Sequence, residues 1–331
     1  MSGSLDLAIV EGALPDDIRN SWKLSTGSRT HGSVDYGRPR EIESFFPCSP
    51  HPHEGVVVPR PVASSKPKPA GIETVSGSIY DYPVYYDVIF GADWKKETDF
   101  LELAFEKHAD RKVKSVFEPA CGTGRLMVKL AQRGYKVAGN DLNPKAINYC
   151  NKKLAKAGFP ETGVVGDMSA FQLKKPVDAA FNLINTVRHL PTEKHAKDHL
   201  KCMAEALAPG GIYLLGLHLM PTEGKPIPSE TWLAKRGTLT VSSFMWTKKI
   251  DIPGRMEYLG MTLDVHTPTK QLKIEDEMHY RTYTAAQMKT LIASVPTLEL
   301  VETYDFLCEI NDPITIGSRT EDVIYVLRKR K

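Results

Sequence analysis

Residues 116–131 read VFEPACGTGRLMVKLA: an apolar run carrying an acid, Glu118, then a turn of small residues, then a helical pattern. Gly122 and Gly124 lack a Cβ, so a ligand can touch the main chain there and φ can turn positive. The helix that follows presents free N–H groups and the positive end of its dipole. Asp141 stands about 20 residues on, closing the next apolar run, YKVAGND. A carboxylate at that place accepts the hydroxyls of a ribose. Turn and acid together point to a nucleoside-containing ligand across two strand ends. The third glycine of a dinucleotide fingerprint is missing, because Met127 stands in its place. No Gly-Lys-Ser/Thr follows, which excludes a phosphate loop. Glu118 beside the turn would repel phosphate and suits an ammonium group.

The elements that must position these residues alternate along the chain. Apolar runs at 112–118, 135–141, 162–166, 176–183 and 212–219 read as strands, and amphipathic stretches at 93–108, 125–133, 145–157 and 192–207 as helices. Asn143-Pro144 has the form of an N-cap followed by proline at the first helical position. Gly210-Gly211 is read as the end of the 192–207 helix. Such alternation predicts a parallel sheet wrapped on both faces. Within 225–283 the rhythm changes to two-residue alternation in GTLTVSSFMWTKK, RMEYLGMTLDVHT and QLKIEDEMHYRTYT. These predict an inserted antiparallel sheet of three strands. Thr284 and Gln287 have capping-box spacing where helix resumes, and strands at 298–304 and 322–328 end the chain.

Composition limits the alternatives. The chain has 331 residues, 25% charged, with a net charge of +3. That balance argues against nucleic acid or membrane as partner. Five cysteines are an odd count without paired spacing, which predicts a reducing, cytoplasmic setting. Nine of the 23 prolines fall within residues 1–75, predicting a disordered or loosely packed extension. Cys48, His51 and His53 are soft-metal ligand types without a fourth partner, so no metal is expected. His195 and His199 are four apart on a helix with no HExxH-type acid between them, and read as a solvated flank.

Taken together, EPACGTG (118–124), Asp141, GDM (166–168), NLINTVRHL (182–190) and LAPGGI (207–212) resemble the class I S-adenosylmethionine-dependent methyltransferases. The resemblance covers roughly residues 80–331, with Ala120 where the family commonly has its first glycine. It implies a Rossmann-like, doubly wound α/β domain over 76–331. The sheet would have seven mostly parallel strands, and the 225–283 insertion would form a three-stranded substrate lid. It implies S-adenosyl-L-methionine as cofactor. Glu118 and the Ala120–Gly122 backbone would hold its methionine part, with Asn182 nearby. Asp141 would take the ribose, Leu142 and Met168 would flank the adenine, and Asp167 would accept from its amino group. Tyr86, Cys121, Gly124 and Arg125 complete the cofactor set.

The insertion is similar to that of small-molecule N-methyltransferases, including those acting on glycine or amino sugars. Tyr82, Asn185, Arg188, Trp246 and Arg281 are then the expected acceptor-binding residues. His189 is the candidate general base, since an imidazole takes a proton near pH 7, although a neutral amine needs none. The implied reaction moves a methyl group to an amine or hydroxyl of a small polar molecule. An NAD(P)-dependent oxidoreductase and a catalytically inactive binding partner of the same fold are the alternatives, and a homo-oligomer is left open.

Overall fold

A strand without polar alternation needs cover on both faces, and VDAAFN meets that condition: every residue of Val177–Asn182 is buried. The computed structural model describes residues 71–91 and 94–331. The proline-rich reading of residues 1–70, with Cys48, His51 and His53, lies outside the described residues. In chain order the described elements begin with β1 (Glu73–Ser76), a 3-10 turn (Ile79–Asp81), α1 (Pro83–Ile89) and α2 (Trp94–His108). The α/β run follows: β2 (Ser115–Pro119), α3 (Arg125–Gln132), β3 (Lys136–Asp141), α4 (Pro144–Lys156), β4 (Gly163–Val165) and β5 (Val177–Asn182). A second 3-10 turn (Thr186–His189) leads to α5 (Glu193–Ala206) and β6 (Leu207–His218). Next come β7 (Ser229–Arg236), β8 (Leu239–Asp251), β9 (Met256–His266) and β10 (Gln271–Arg281). The chain closes with α6 (Ala285–Ala293), β11 (Leu298–Tyr304) and β12 (Asp322–Lys329).

The larger sheet has seven strands in the order β11-β12-β6-β5-β2-β3-β4. From β6 to β4 every pairing is parallel, and β12 and β11 add on antiparallel. Neighbouring side chains on a strand face opposite ways, so Phe117 and Ala180 join one apolar layer while Val116, Ala179 and Phe181 join the other. Chain direction around the sheet reverses between β2 and β5. The crevice at their carboxyl ends is where an open α/β sheet takes its ligand.

Local signals place the helices. Asn143 Oδ1 accepts from the N–H groups of Lys145 and Ala146 at 2.8 and 3.3 Å, with Pro144 opening α4. Thr284 and Gln287 form the reciprocal capping box of α6. Two expectations fail. Gly210-Gly211 does not end α5, which stops at Ala206; the pair lies inside β6. Gly210 has φ +75°, and its carbonyl accepts from Asp110 N–H at 2.9 Å, so the glycine serves a close approach to that loop.

The inserted sheet also differs from expectation. It has five strands, not three, in the order β1-β10-β9-β8-β7. β7 (SETWLAKR) is an edge strand whose residues are exposed or half-buried, so its apolar face is too thin to read as a strand. β1 has four residues and pairs parallel with β10. It therefore draws residues 73–75 of the supposed extension into the fold. The inner face of this sheet, including Val241, Leu259, Leu263 and Ile274, packs on Ile79, Val88 and Ile89 of the first 3-10 turn and α1. Among the described residues no helix is long and apolar enough to cross a membrane.

Gly124 shows how closely the loop after β2 is fitted to this frame. It has φ +60°, and a Cβ there would collide with Cys150 Sγ of α4. Gly124→Ala should lower the unfolding free energy by about 2–4 kcal/mol, from left-handed strain and overpacking together. Chemical denaturation of both proteins checks this, and an unchanged midpoint would contradict the tight fit.

Candidate functional site

The loop leaving β2 alternates into the left-handed region at Ala120 (φ +49°), Gly122 (φ +53°) and Gly124 (φ +60°). A non-glycine residue there costs about 1–2 kcal/mol, so Ala120 is held in place by its surroundings. Asn140 does much of this. Its side-chain oxygen accepts from Ala120 N–H at 3.3 Å, its carbonyl accepts from Cys121 N–H at 2.8 Å, and its side-chain amide donates to the Asp167 carbonyl at 3.2 Å. One fully buried asparagine thus ties together the loops after β2 and β4. It was not among the expected site residues; a polar residue inside the apolar run KVAGND was the available signal. Apart from Gly122 itself and its chain neighbours, nothing lies within 4 Å of where a Cβ on it would sit, so its backbone borders open space.

Asp141 ends β3 with both carboxylate oxygens engaged by main chain. Gly122 N–H donates to Oδ2 and Asn143 N–H to Oδ1, each at 2.8 Å. Burial raises its pKa, and these two N–H groups oppose the rise. Glu118 is more exposed to the cost of burial. Its Oε2 is buried with no hydrogen-bond partner, and burial pushes its pKa well above the carboxylate range, with Arg125 pulling the other way. Arg125 does not relieve it by contact, because its guanidinium grips Glu97 with both nitrogens, one at 2.6 Å. Asn182, at the end of β5, donates to the Pro119 carbonyl at 2.8 Å, while its own Oδ1 is buried and unpartnered. An unsatisfied buried acceptor costs about 1–3 kcal/mol. Glu118 and Asn182 therefore offer two acceptors to a ligand carrying several N–H donors.

Around the next strand ends, Asp167 Oδ1 accepts from the Ser169 N–H and hydroxyl at 2.7 and 2.8 Å. Met168 is buried in the core layer, and Leu142 stands partly exposed at the tip of β3. His199 corrects an expectation. It is fully buried, not on a solvated flank, with Nδ1 2.8 Å from the Met168 carbonyl and Nε2 2.8 Å from the Tyr213 hydroxyl. Both partners come from distant segments, which helix spacing alone cannot reveal. Burial lowers its pKa to about 4, so it is neutral at pH 7.

Beyond β5, the second 3-10 turn carries the remaining candidates. His189 Nε2 lies 2.9 Å from the Tyr80 hydroxyl, and the ring meets Tyr280 edge-on at 4.7 Å. Burial and the neighbouring Arg188 lower its pKa to about 4. Tyr80 packs on Tyr86 at 5.5 Å, and burial raises the pKa of Tyr86, which also senses Asp141 and Glu118. An aromatic run thus links the acids at the strand tips to the second sheet. Arg188 is buried, ion-paired with Glu257 and 4.8 Å from the Tyr280 ring centroid. Asn185 Oδ1 accepts from His218 N–H at 2.8 Å.

Asn185, Arg188, Trp246, Glu230, Glu257 and Tyr280 border one open cavity between the end of β6 and the second sheet. The structure does not bring Tyr82 or Arg281 to that cavity. Tyr82 stacks on Tyr85 at 6.1 Å, and Arg281 reaches the Pro191 carbonyl and Glu193.

Comparison with known proteins agrees with this geometry. Residues 116–211 match the family model described as a methyltransferase domain. The putative methyltransferase YqeM of Bacillus subtilis (strain 168) is 23% identical over 150 residues, 45% of this chain and 58% of that protein. The dTDP-4-amino-2,3,4,6-tetradeoxy-D-glucose N,N-dimethyltransferase of Saccharopolyspora spinosa is 28% identical over 147 residues, 42% of this chain and 56% of that protein. The chain therefore spans little more than half the length of these curated relatives. A solved S-adenosylmethionine-dependent methyltransferase from Clostridium acetobutylicum ATCC 824 superposes with a TM-score of 0.61 at 16% identity, over 76% of this chain and 97% of that one. The fold is that of the solved S-adenosylmethionine-dependent methyltransferase, and residues 116–211 carry the match to the methyltransferase-domain model.

His199 makes the site's support pH-sensitive. Its folded pKa of about 4 lies below the ordinary histidine value, so the unfolded chain binds the proton more readily. Stability is complete above about pH 6.5 and falls toward pH 4, by about 1.4 kcal/mol per pH unit for each such group. His199→Gln should reduce that slope by about one proton, measured by urea unfolding across the range. An unchanged slope would show that His199 does not titrate on unfolding.

Proposed function

We propose that this protein transfers a methyl group from S-adenosyl-L-methionine to the amine of a small polar molecule. The observation that carries this is the pair of buried, unpartnered oxygens, Glu118 Oε2 on β2 and Asn182 Oδ1 on the neighbouring β5, with Asp141 on β3 at the other side of β2. An amino acid's ammonium group would give both acceptors a donor and favour the charged form of Glu118. Asp141 would receive the ribose hydroxyls, competing with Gly122 N–H, and Leu142 and Met168 would flank the base, with Asp167 at its amino group. Tyr86 would close the methionine end from above. An oxidoreductase reading is disfavoured. Met127 is buried where the third glycine would stand, and Glu118 would face a pyrophosphate.

When bound, the cofactor supplies a methyl carbon on positively charged sulfur; a neutral amine takes it as the sulfur leaves as a thioether and a proton leaves the nitrogen. The chain's own task is alignment and exclusion of water. Tyr80 and neutral His189 form a hydrogen-bonded pair suited to orient the amine; with its pKa held near 4 His189 is a poor proton acceptor, so the proton leaves to water. The five-stranded sheet, with β1 at one edge, would cover the acceptor. The N,N-dimethyltransferase relative named above supports an amine over a hydroxyl, since its name places its methyl groups on nitrogen.

Calorimetry with S-adenosylhomocysteine tests the site. The wild-type protein should bind it and not NAD. Asp141→Ala should weaken binding at least about tenfold, or about 1.4 kcal/mol. Asp141→Asn serves as the milder variant should alanine unfold the loop. Retained affinity in both variants, or NAD binding in preference, would overturn the assignment.

A further inference from the structure

The cavity beside Tyr280 has a charge balance that bears on what enters it. Its charged lining is Arg188, Glu230, Glu257 and Glu321, with His218 beside them. Arg188 and Glu257 neutralise each other in a buried pair, and the second oxygen of Glu257 accepts from the Thr247 hydroxyl at 2.6 Å. That pair has little left to offer a ligand. The Glu321 carboxylate accepts only from Ile227 N–H at 3.3 Å, and the Glu230 carboxylate has no hydrogen-bond or ion-pair partner among the described residues. His218 does not balance them. It lies 3.3 Å from Asp322, but burial and Arg188 hold its pKa near 4, so it is uncharged at neutral pH. Burial, then the carboxylates of Asp322, Glu257 and Glu321, raise the pKa of Glu230, with Arg188 opposing. The Glu230 and Glu321 carboxylates would gain from a cation arriving in the cavity.

We infer that the acceptor is a small molecule with at least two basic nitrogens and no phosphate: one nitrogen is held as an ammonium by Glu230 and Glu321, and another, uncharged, is methylated. This rests on the methyltransferase reading and specifies its substrate. Two nitrogens are needed because an ammonium has no lone pair, so the nitrogen gripped by carboxylates cannot be the one that attacks. The layout separates the two tasks. Tyr280 borders the acidic cavity on one side and meets His189 edge-on on the other, and His189 leads through Tyr80 to Tyr86 and the cofactor acids. The same charge balance disfavours a nucleotide-linked sugar. The Saccharopolyspora spinosa relative takes its name from a dTDP-linked compound, whose diphosphate would meet Glu230 and Glu321 here.

Calorimetry on the full chain saturated with S-adenosylhomocysteine tests the inference, using spermidine, methylamine and thymidine diphosphate as probes. Spermidine should bind at least tenfold more tightly than methylamine, weaken as salt is raised, and lose about tenfold in Glu230→Gln. Thymidine diphosphate should give no binding. The conservative variant keeps the shape of the side chain, and its affinity for S-adenosylhomocysteine should not change, which reports an intact fold. The inference is overturned if thymidine diphosphate binds as well as spermidine, if spermidine fails to bind the loaded protein, or if Glu230→Gln leaves its affinity within twofold. Failure of the wild-type chain to bind S-adenosylhomocysteine would instead strike the underlying methyltransferase reading.

Discussion

Two main-chain N–H groups on one carboxylate organise this site. Asp141 receives Gly122 from the loop after β2 and Asn143 from the start of α4. Through them the tips of two parallel strands and the first turn of a helix share one charged group. The loop must enter the left-handed region three times in five residues to deliver Gly122 to that position. Asn140 braces the same loop from below and extends the tie to Asp167. A ribose bound to Asp141 would therefore act on a carboxylate already aimed and partly desolvated, which lowers the ordering cost of binding.

The charges nearby follow one logic: each is either cancelled in place or left uncancelled where a ligand would lie. Arg125 is consumed by Glu97, and Arg188 by Glu257. Both pairs are largely buried, and a buried pair is weak evidence for stability but strong evidence for fixed geometry. Glu118 and Glu230 lack such partners. The first lies at the strand ends and the second in the neighbouring cavity. A positively charged ligand would be stabilised at both.

Between them run Tyr86, Tyr80, His189 and Tyr280, contributed by α1, the two 3-10 turns and β10. This run is the physical connection between the larger sheet and the second one. It explains why the short first turn and α1 pack beneath the five-stranded sheet: they carry half of the aromatic contacts. Ser78 caps that turn, and Asp276 of β10 accepts from Ile79 N–H at 2.9 Å, so the start of the turn is anchored twice.

Residue types and spacing alone determined the order of strands and helices, the loop at Gly122 and Gly124, the acid at Asp141 and the caps at Asn143 and Thr284. Those features depend on backbone preferences acting over a few residues, which a sequence displays directly. Tertiary structure decided the rest. β1 and β7 are strands because an existing sheet edge offers them hydrogen bonds, not because of their own apolar pattern. Gly210 lies within a strand and does not end a helix, with Asp110 held close against it. His199 is buried because Met168 and Tyr213, 31 and 14 residues away, supply its two hydrogen bonds. Whether Arg188 is free or paired turned on Glu257, 69 residues away. Burial and pairing of charge are properties of groups brought together by the fold, and no local pattern in the chain records them.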